Sequence, residues 1–458
     1  MKTVTMPAQD VPVRHETEVL VVGGGPTGIA AAIAAARNGA KTLIVEQRGY
    51  LGGMGTVALV PAFCPYTDNE KPVIRGIGLE LLEQMKQRCS DAYRARYAQQ
   101  LDWVPIDSEA LKLVYDDTVQ ASGAEVLYHS FVSQVAMDEA GKRVEGVFVM
   151  NKSGLSFIRC DYVIDATGDA DIAVRAGAGY SQGGEQGELQ PGTMCYLLTD
   201  VDRQRFRAYL AESGDTHQVP QAVQQAQQAG DLPEGRKEVS GFAWVSDSLV
   251  GVNFGHVFGI DGTKAEDLTR GAIDGRRGVQ VQVAFLRKYV PGFEKAHVVA
   301  TGEQIGIRET RRIEGDYTLV QEDFLSMRGF DDDIARNSYF IDIHMATSKD
   351  QMAIRHLPSG CSHGVPYRCL LPIGLDNVWV AGRAASSDRV VQGSLRVMPN
   401  CFSMGEAAGT AAYIASRGQL TTREVPIREL QRQLVRQGAW LGEDIHELLA
   451  AEAEPSRG

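Results

Sequence analysis

Apolar and polar positions alternate differently along the chain, and the clearest pattern lies near its start. Residues 19–22 form a short continuous apolar run of β type. An Ala-rich stretch, 26–38, has a helical period, Gly39 ends it, and a second apolar run, 42–45, closes on Glu46. This order predicts a strand, a tight turn, a helix and a second strand. Residues 76–88 and 109–122 carry helical periodicity, the second with Asp107 or Ser108 as its N-cap, and the polar, aromatic stretch 91–103 between them is compatible with a helix. Runs 125–128, 131–137, 143–150 and 155–159 alternate like strands, with turns at Gly141-Lys142 and 152–154, which predicts a small antiparallel insert. Residues 162–164 then return to the parallel sheet and stop at Ala166, Thr167, Gly168 and Asp169.

The second half is more mixed. A polar, Gly-rich stretch, 183–192, marks a crossing into another domain. Helical patterns at 204–211, 218–230 and 267–289 flank a strand-like run at 244–252, which predicts a cap domain on the substrate side. Residues 301–320 hold Arg308, Glu309, Arg311, Arg312, Glu314 and Asp316. That density of charge fits either a solvated face with weak surface ion pairs or an ordered network where the cap meets the first domain. Residues 338–347 alternate, bringing Asp342 and His344 to one face. A strand at 377–381 delivers Gly382-Arg383, a loop is expected over 384–400, an Ala/Gly-rich helix from about 401 to 418, and a polar helical segment over 424–449. The whole reads as α/β: a Rossmann-like domain with a mixed α+β cap. The expected division is 16–190 with 372–420, also receiving part of 296–320; a cap over 191–371; and a peripheral C-terminal segment, 421–458.

Composition narrows the function classes. A chain of 458 residues with 44% apolar content is globular and long enough for two or three domains. A net charge of −12 argues against a nucleic-acid or anionic-membrane binder, and no apolar run is long enough to span a bilayer. Seven scattered cysteines without a C-x-x-C fit free thiols in a reducing cytosol, so a cytoplasmic location is expected and no metal site. Self-association into a homo-oligomer is left open.

The first unit carries G-x-G-x-x-G at Gly23, Gly25 and Gly28. In such a turn the first glycine permits the bend, the second lets a pyrophosphate approach the backbone, and the third lets helix and strand pack closely. The unpaired N–H groups of the helix start face the anion. Glu46, just after the second strand, suits the ribose hydroxyls of an adenosine and would repel a 2′-phosphate. The glycine-rich stretch after it, 47–61, leaves on the ligand side, with Arg48 within reach of phosphate or adenine.

Five blocks carry a family resemblance: VVGGGPTGIAAAIAAARNGAKTLIVEQRGYLGGMGT, VIDATGDAD, IGIRETRRIEGDYTL, the DIH at 342–344, and NVWVAGRAASSDRVVQGSLRVMPNCFSMGEAAGTAA. Together, over roughly 16–416, the chain resembles the FAD-dependent oxidoreductase family. That family is related to the flavin domain of the heterodisulfide reductases and, more distantly, to the glutathione-reductase-type flavoproteins. The resemblance implies FAD at the first turn (Gly23, Gly25, Pro26, Thr27, Gly28) with Glu46 and Gln47 at the ribose. It implies Arg48, Gly53, Met54, Gly55 and Thr56 along the pyrophosphate and ribitol, and Val132 at the adenine. Ala166, Thr167, Gly168 and Asp169 would line the nucleotide, and Gly382, Arg383, Pro399 and Asn400 would reach the ribitol and ring. The cysteine motifs for iron–sulfur clusters and the C-x-x-x-x-C dithiol of those relatives are absent from the sequence, which removes disulfide reduction.

For the chemistry, His344 is the first candidate to handle a proton, with Asp342 holding its tautomer. His256, Tyr367 and Arg396 are second-line candidates, and Arg396 with Arg308 suits an anionic substrate group. Cys64 follows the flavin loop, but a single thiol without a partner reads as a small buried residue. The expected activity is hydride transfer between flavin N5 and a carbon of a small polar metabolite, anionic as one option, with an unidentified electron partner. The alternatives are a flavin monooxygenase or oxidase using O₂, and a non-catalytic electron-transfer or sensor protein.

Overall fold

The structure, a computed structural model, describes residues 2–234, 237–344 and 353–453. Its centre is a seven-stranded sheet. The chain enters through β1 (Val13–Val22), turns into α1 (Pro26–Asn38), and returns as β2 (Thr42–Val45) parallel to β1. Pro26 opens α1 where its missing N–H costs nothing, and Gly39, at φ 107°, caps it by donating to Ala35 O and Ala36 O. Helices α2 (Gly76–Arg88) and α3 (Ser108–Ala121) follow, the latter capped by the Asp107 carboxylate. Strands β3 (Glu125–Leu127), β4 (Phe131–Met137), β5 (Val144–Asn151) and β6 (Gly154–Asp165) complete this part, in the spatial order β3-β2-β1-β6-β5-β4.

The two short strands expected at 155–159 and 162–164 are one strand, β6. Its first half pairs antiparallel with β5, and β1 runs parallel to it from Phe157 to Asp165. The burial pattern follows the pairing. The first half alternates because one face meets solvent; 162–165 is buried throughout because both faces are covered. The alternation in β1 splits the core in two. Val19 and Val21 join the apolar cluster under α1, and Leu20 and Val22 join the cluster on the opposite face with Val147, Val163 and Ile172.

The cap has its own core. Strands β7 (Tyr196–Thr199), β8 (Phe242–Trp244), β9 (Val250–Val252) and β10 (His297–Thr301) form an antiparallel sheet in the order β8-β9-β7-β10, with the long helix α4 (Ala265–Tyr289) between β9 and β10 in sequence. Phe206, Trp244, Phe285 and Phe293 are buried there. Residues beyond it depart from the expected division. Leu319, Phe324, Ile334, Val365 and Tyr367 belong to the α1-side cluster, so the chain rejoins the first domain well before 371. There β11 (Ile341–Ile343) carries Asp342.

The chain then adds β12 (Val378–Val380) parallel to the buried end of β6. The stretch expected as a loop contains α5 (Arg389–Leu395), capped by the Asp388 carboxylate at Val391 N–H, and the next helix, α6 (Met398–Gly418), starts three residues before the expected Cys401. Helix α6 lies on α1 at close range. A Cβ on Gly405 would sit 2.1 Å from Thr27 O, and one on Gly409 would sit 2.2 Å from Ala31 O. The last helices, α7 (Ile427–Arg436) and α8 (Glu443–Ala453), are not peripheral: Leu430, Leu434, Ile445 and Leu449 join the same cluster. Among the described residues no helix is long and apolar enough to cross a membrane.

Candidate active site

A cavity of about 1230 Å³ runs from the first turn, past the ends of β1 and β6, to the cap. Its volume exceeds the roughly 300–1,000 Å³ of an ordinary small-ligand pocket.

At one end lie residues 22–27 and 45–48 with Gly53 and Met54. Gly23 holds φ 102°, and a Cβ there would lie 2.5 Å from Ala166 O. A Cβ on Gly28 would fall 1.8 Å from Gly23 O, so Gly28 serves the closeness of helix and turn and does not line the cavity. Gly25 differs: nothing lies within 4 Å of a Cβ there, and no side chain caps the start of α1. Glu46 is buried between two backbone donors, Gly24 N–H at 2.7 Å and Arg48 N–H at 2.8 Å. Burial pushes its carboxyl above the usual range, against those two bonds. The Arg48 Nη2 donates to Gln304 Oε1 at 3.3 Å, and its buried Nε–H has no partner among the described residues. An open backbone, an uncapped helix start, a carboxylate and a guanidinium N–H awaiting an acceptor suit a phosphorylated ribose. Gln47, Ser130, Phe131 and Val132 line the same end, and 166–169 line its floor. Gly55 and Thr56 face away, the Thr56 hydroxyl donating to Leu51 O at 2.7 Å.

The late elements meet the cavity differently from the expectation. Arg383 lines it, but its guanidinium is committed to Gly168 O at 2.9 Å, Asp169 Oδ1 at 2.6 Å and Ile307 O at 2.6 Å. Gly382 packs on Thr27. Of the first turn of α6, Met398 and Cys401 line the cavity, while Pro399 and Asn400 do not. The Asn400 amide instead donates to Asn337 Oδ1 and to Ser394 O, inside a buried polar cluster that includes His363.

The opposite wall gathers the candidate chemistry. His344 Nε2 lies 3.3 Å from Asp342 Oδ1, and His344 Nδ1 lies 3.0 Å from His256 Nε2. Arg396 Nη2 donates to Asp342 O at 3.0 Å and lies 3.4 Å from Asp342 Oδ2, and the Tyr339 hydroxyl is also 3.4 Å from Oδ2. Burial works to raise the Asp342 carboxyl, but His344, Arg396 and Arg308 together hold it well below the carboxylate range. Burial, with the Arg308 cation second, lowers His344 to about 4 despite Asp342. At neutral pH the pair is therefore a carboxylate and a neutral imidazole. Arg308 lines the cavity and donates to Pro191 O at 2.7 Å and Thr193 Oγ1 at 2.9 Å. His256 does not line it, and its Nε2 contacts His344, which does. Tyr367 is elsewhere: it is fully buried, donates to Thr422 O at 2.7 Å and accepts from Trp379 Nε1 at 2.7 Å, which makes it a core residue. Tyr339, also on this wall, sits in no motif, and no signal in the sequence marks it. Cys64 lines the wall too, and desolvation raises its thiol far above its ordinary value.

The charged stretch after the cap is an ordered network. Glu309, wholly buried, pairs with Arg312 at 2.9 Å and Arg389 at 3.1 Å and accepts Gln190 N–H at 3.1 Å. Thr310 donates to Asp169 at 2.6 Å and Arg311 pairs with Asp171 at 3.0 Å. Asp169 thus ties the end of β6 to this stretch and to Arg383.

A family-level sequence model, that of the FAD dependent oxidoreductases, matches residues 18–434. The chain belongs to that family. This FAD-dependent oxidoreductase is an enzyme whose cofactor is FAD. Its curated relatives include the thiamine thiazole synthases of Sulfolobus acidocaldarius, 30% identical over 171 residues (35% of this chain, 59% of that protein), and of Methanococcus aeolicus, 31% identical over 176 residues (34% and 57%). Each match thus spans less than two thirds of the relative's length. Among solved structures, a geranylgeranyl bacteriochlorophyll reductase-like protein from Thermoplasma acidophilum is similar with a TM-score of 0.46 at 15% identity, over 96% of this chain and 92% of that one.

Proposed function

We propose that this FAD-dependent oxidoreductase moves a hydride between flavin N5 and a carbon of a small polar metabolite, with His344 handling the accompanying proton. The adenosine would lie between Glu46 and Val132, and the pyrophosphate over Gly25 and the start of α1, near the Arg48 Nε–H that has no partner among the described residues. Bound FAD supplies the two-electron chemistry. The remaining tasks fall to this chain: holding the substrate, excluding water and moving a proton. The observation that carries the reading is the Asp342 and His344 pair on the cavity wall beside Arg396, with His256 against His344 from behind. Arg396 and Arg308 make that wall cationic, which favours a substrate with an anionic group.

The test is anaerobic. FAD-loaded protein is mixed with a panel of hydroxy and amino acids, and dithionite-reduced protein with 2-oxo and enoic acids, while the flavin absorbance is followed. One series is expected to change the redox state. H344Q should slow that step about 10²-fold or more while retaining flavin. Reduction by a nicotinamide alone, followed by oxygen incorporation into a product, would establish the monooxygenase alternative instead. A flavin that responds to neither series nor to O₂ would establish the carrier or sensor alternative.

A further inference from the structure

Hydrogen-bond complementarity leaves one proton arrangement along the Asp342, His344 and His256 line. An ionised carboxylate only accepts hydrogen bonds, and a neutral imidazole donates from one nitrogen and accepts at the other. Asp342 faces two guanidinium groups, Arg396 and Arg308, with the Tyr339 hydroxyl also against it and Cys64 nearby. It is therefore the acceptor, and the proton at the 3.3 Å contact sits on His344 Nε2. That leaves His344 Nδ1 as a lone pair. At 3.0 Å, His256 Nε2 must be the donor to it. The two rings stand at 85° to each other. The main chain of His344 is pinned as well, its N–H donating to Gln190 Oε1 at 3.2 Å, and Gln190 is held by Glu309.

We propose that His256 is a positioning residue that fixes His344 as the Nε2–H tautomer, with that N–H on the Asp342 carboxylate and the ring held in one orientation at the cavity wall. This deepens the hydride-transfer reading and rests on it.

The test reads the tautomer directly. Protein with ¹⁵N-labelled histidine and bound FAD is examined by NMR at pH 7, with H344Q used for assignment. His344 is expected to show an unprotonated Nδ1 and a protonated Nε2. H256Q, whose amide N–H can replace the lost donor, should keep that tautomer. H256F, which offers none, should mix the two forms. A His344 protonated at Nδ1, or a tautomer indifferent to His256→Phe, would overturn the proposal. Should H256F fail to fold, the wild-type state of Nδ1 decides alone. A wrong tautomer leaves the hydride reading standing, and an unresponsive flavin sinks that reading whatever the tautomer.

Discussion

At the scale of single residues, buried titratable groups set opposite pH trends. The Glu406 carboxyl accepts Ile77 N–H at 3.0 Å through one oxygen, while the other has no partner among the described residues. Burial pushes it up to about 8, against that bond, and burial likewise raises Asp333 to about 8 despite Arg336. Both hold a proton in the folded chain that they lose when unfolded, so their contribution is present in acid and disappears as pH rises through 8. His344 and His363, each lowered to about 4 by burial, act the other way: their contribution is lost as pH falls below the ordinary histidine range. Of these four groups the two carboxyls alone still change between about pH 6.5 and 8, so their contribution should fall there. E406Q removes one of the two and should recover about 2 kcal/mol of that fall, seen as a shallower decline of Tm with pH. An equal slope in both proteins would show that Glu406 is ionised in the fold.

At the scale of elements, two helical glycines should respond to alanine with opposite signs. Gly409 presses α6 onto α1, and a methyl 2.2 Å from Ala31 O must drive the helices apart. G409A should cost about 1–3 kcal/mol and weaken FAD retention, because both helices begin at the cavity. Gly278 lies within α4, and the nearest atom to a Cβ there is Gln282 Nε2 at 3.6 Å. G278A should stabilise by about 0.5–1 kcal/mol. Thermal melts and flavin content of the two variants decide both. The same elements show how far the sequence can be read. Helix α1 is legible to the residue, because Pro26, Gly39 and the alanine period are local signals. Helix α5 is hidden, because its Ser-, Arg- and Gly-rich surroundings mask the Asp388 cap. Strand β6 reads as two strands because its halves obey different burial rules.

At the scale of the whole molecule, the glycine turn and its acidic partner are legible because they are contiguous. The opposite wall is legible only in part. Asp342 and His344 are two residues apart, but His256 arrives from the cap and Tyr339 carries no motif. Tyr367 looks chemical in the sequence and is structural, since only the fold reveals Thr422 and Trp379 around it. The sheet likewise joins distant segments: β6 lies between β1 and β12, and α1 packs on α6. A chain ending at residue 370 lacks β12 and α6, and it should be recovered insoluble and colourless even when supplied with FAD. A soluble yellow product would show that the first domain folds unaided. The intact chain meets the same difficulty on the ribosome. At about 5–20 residues per second, the alanine face of α1 waits on the order of 20–80 seconds for its mate to emerge. Throughout that interval the nascent polypeptide is a natural client for a chaperone.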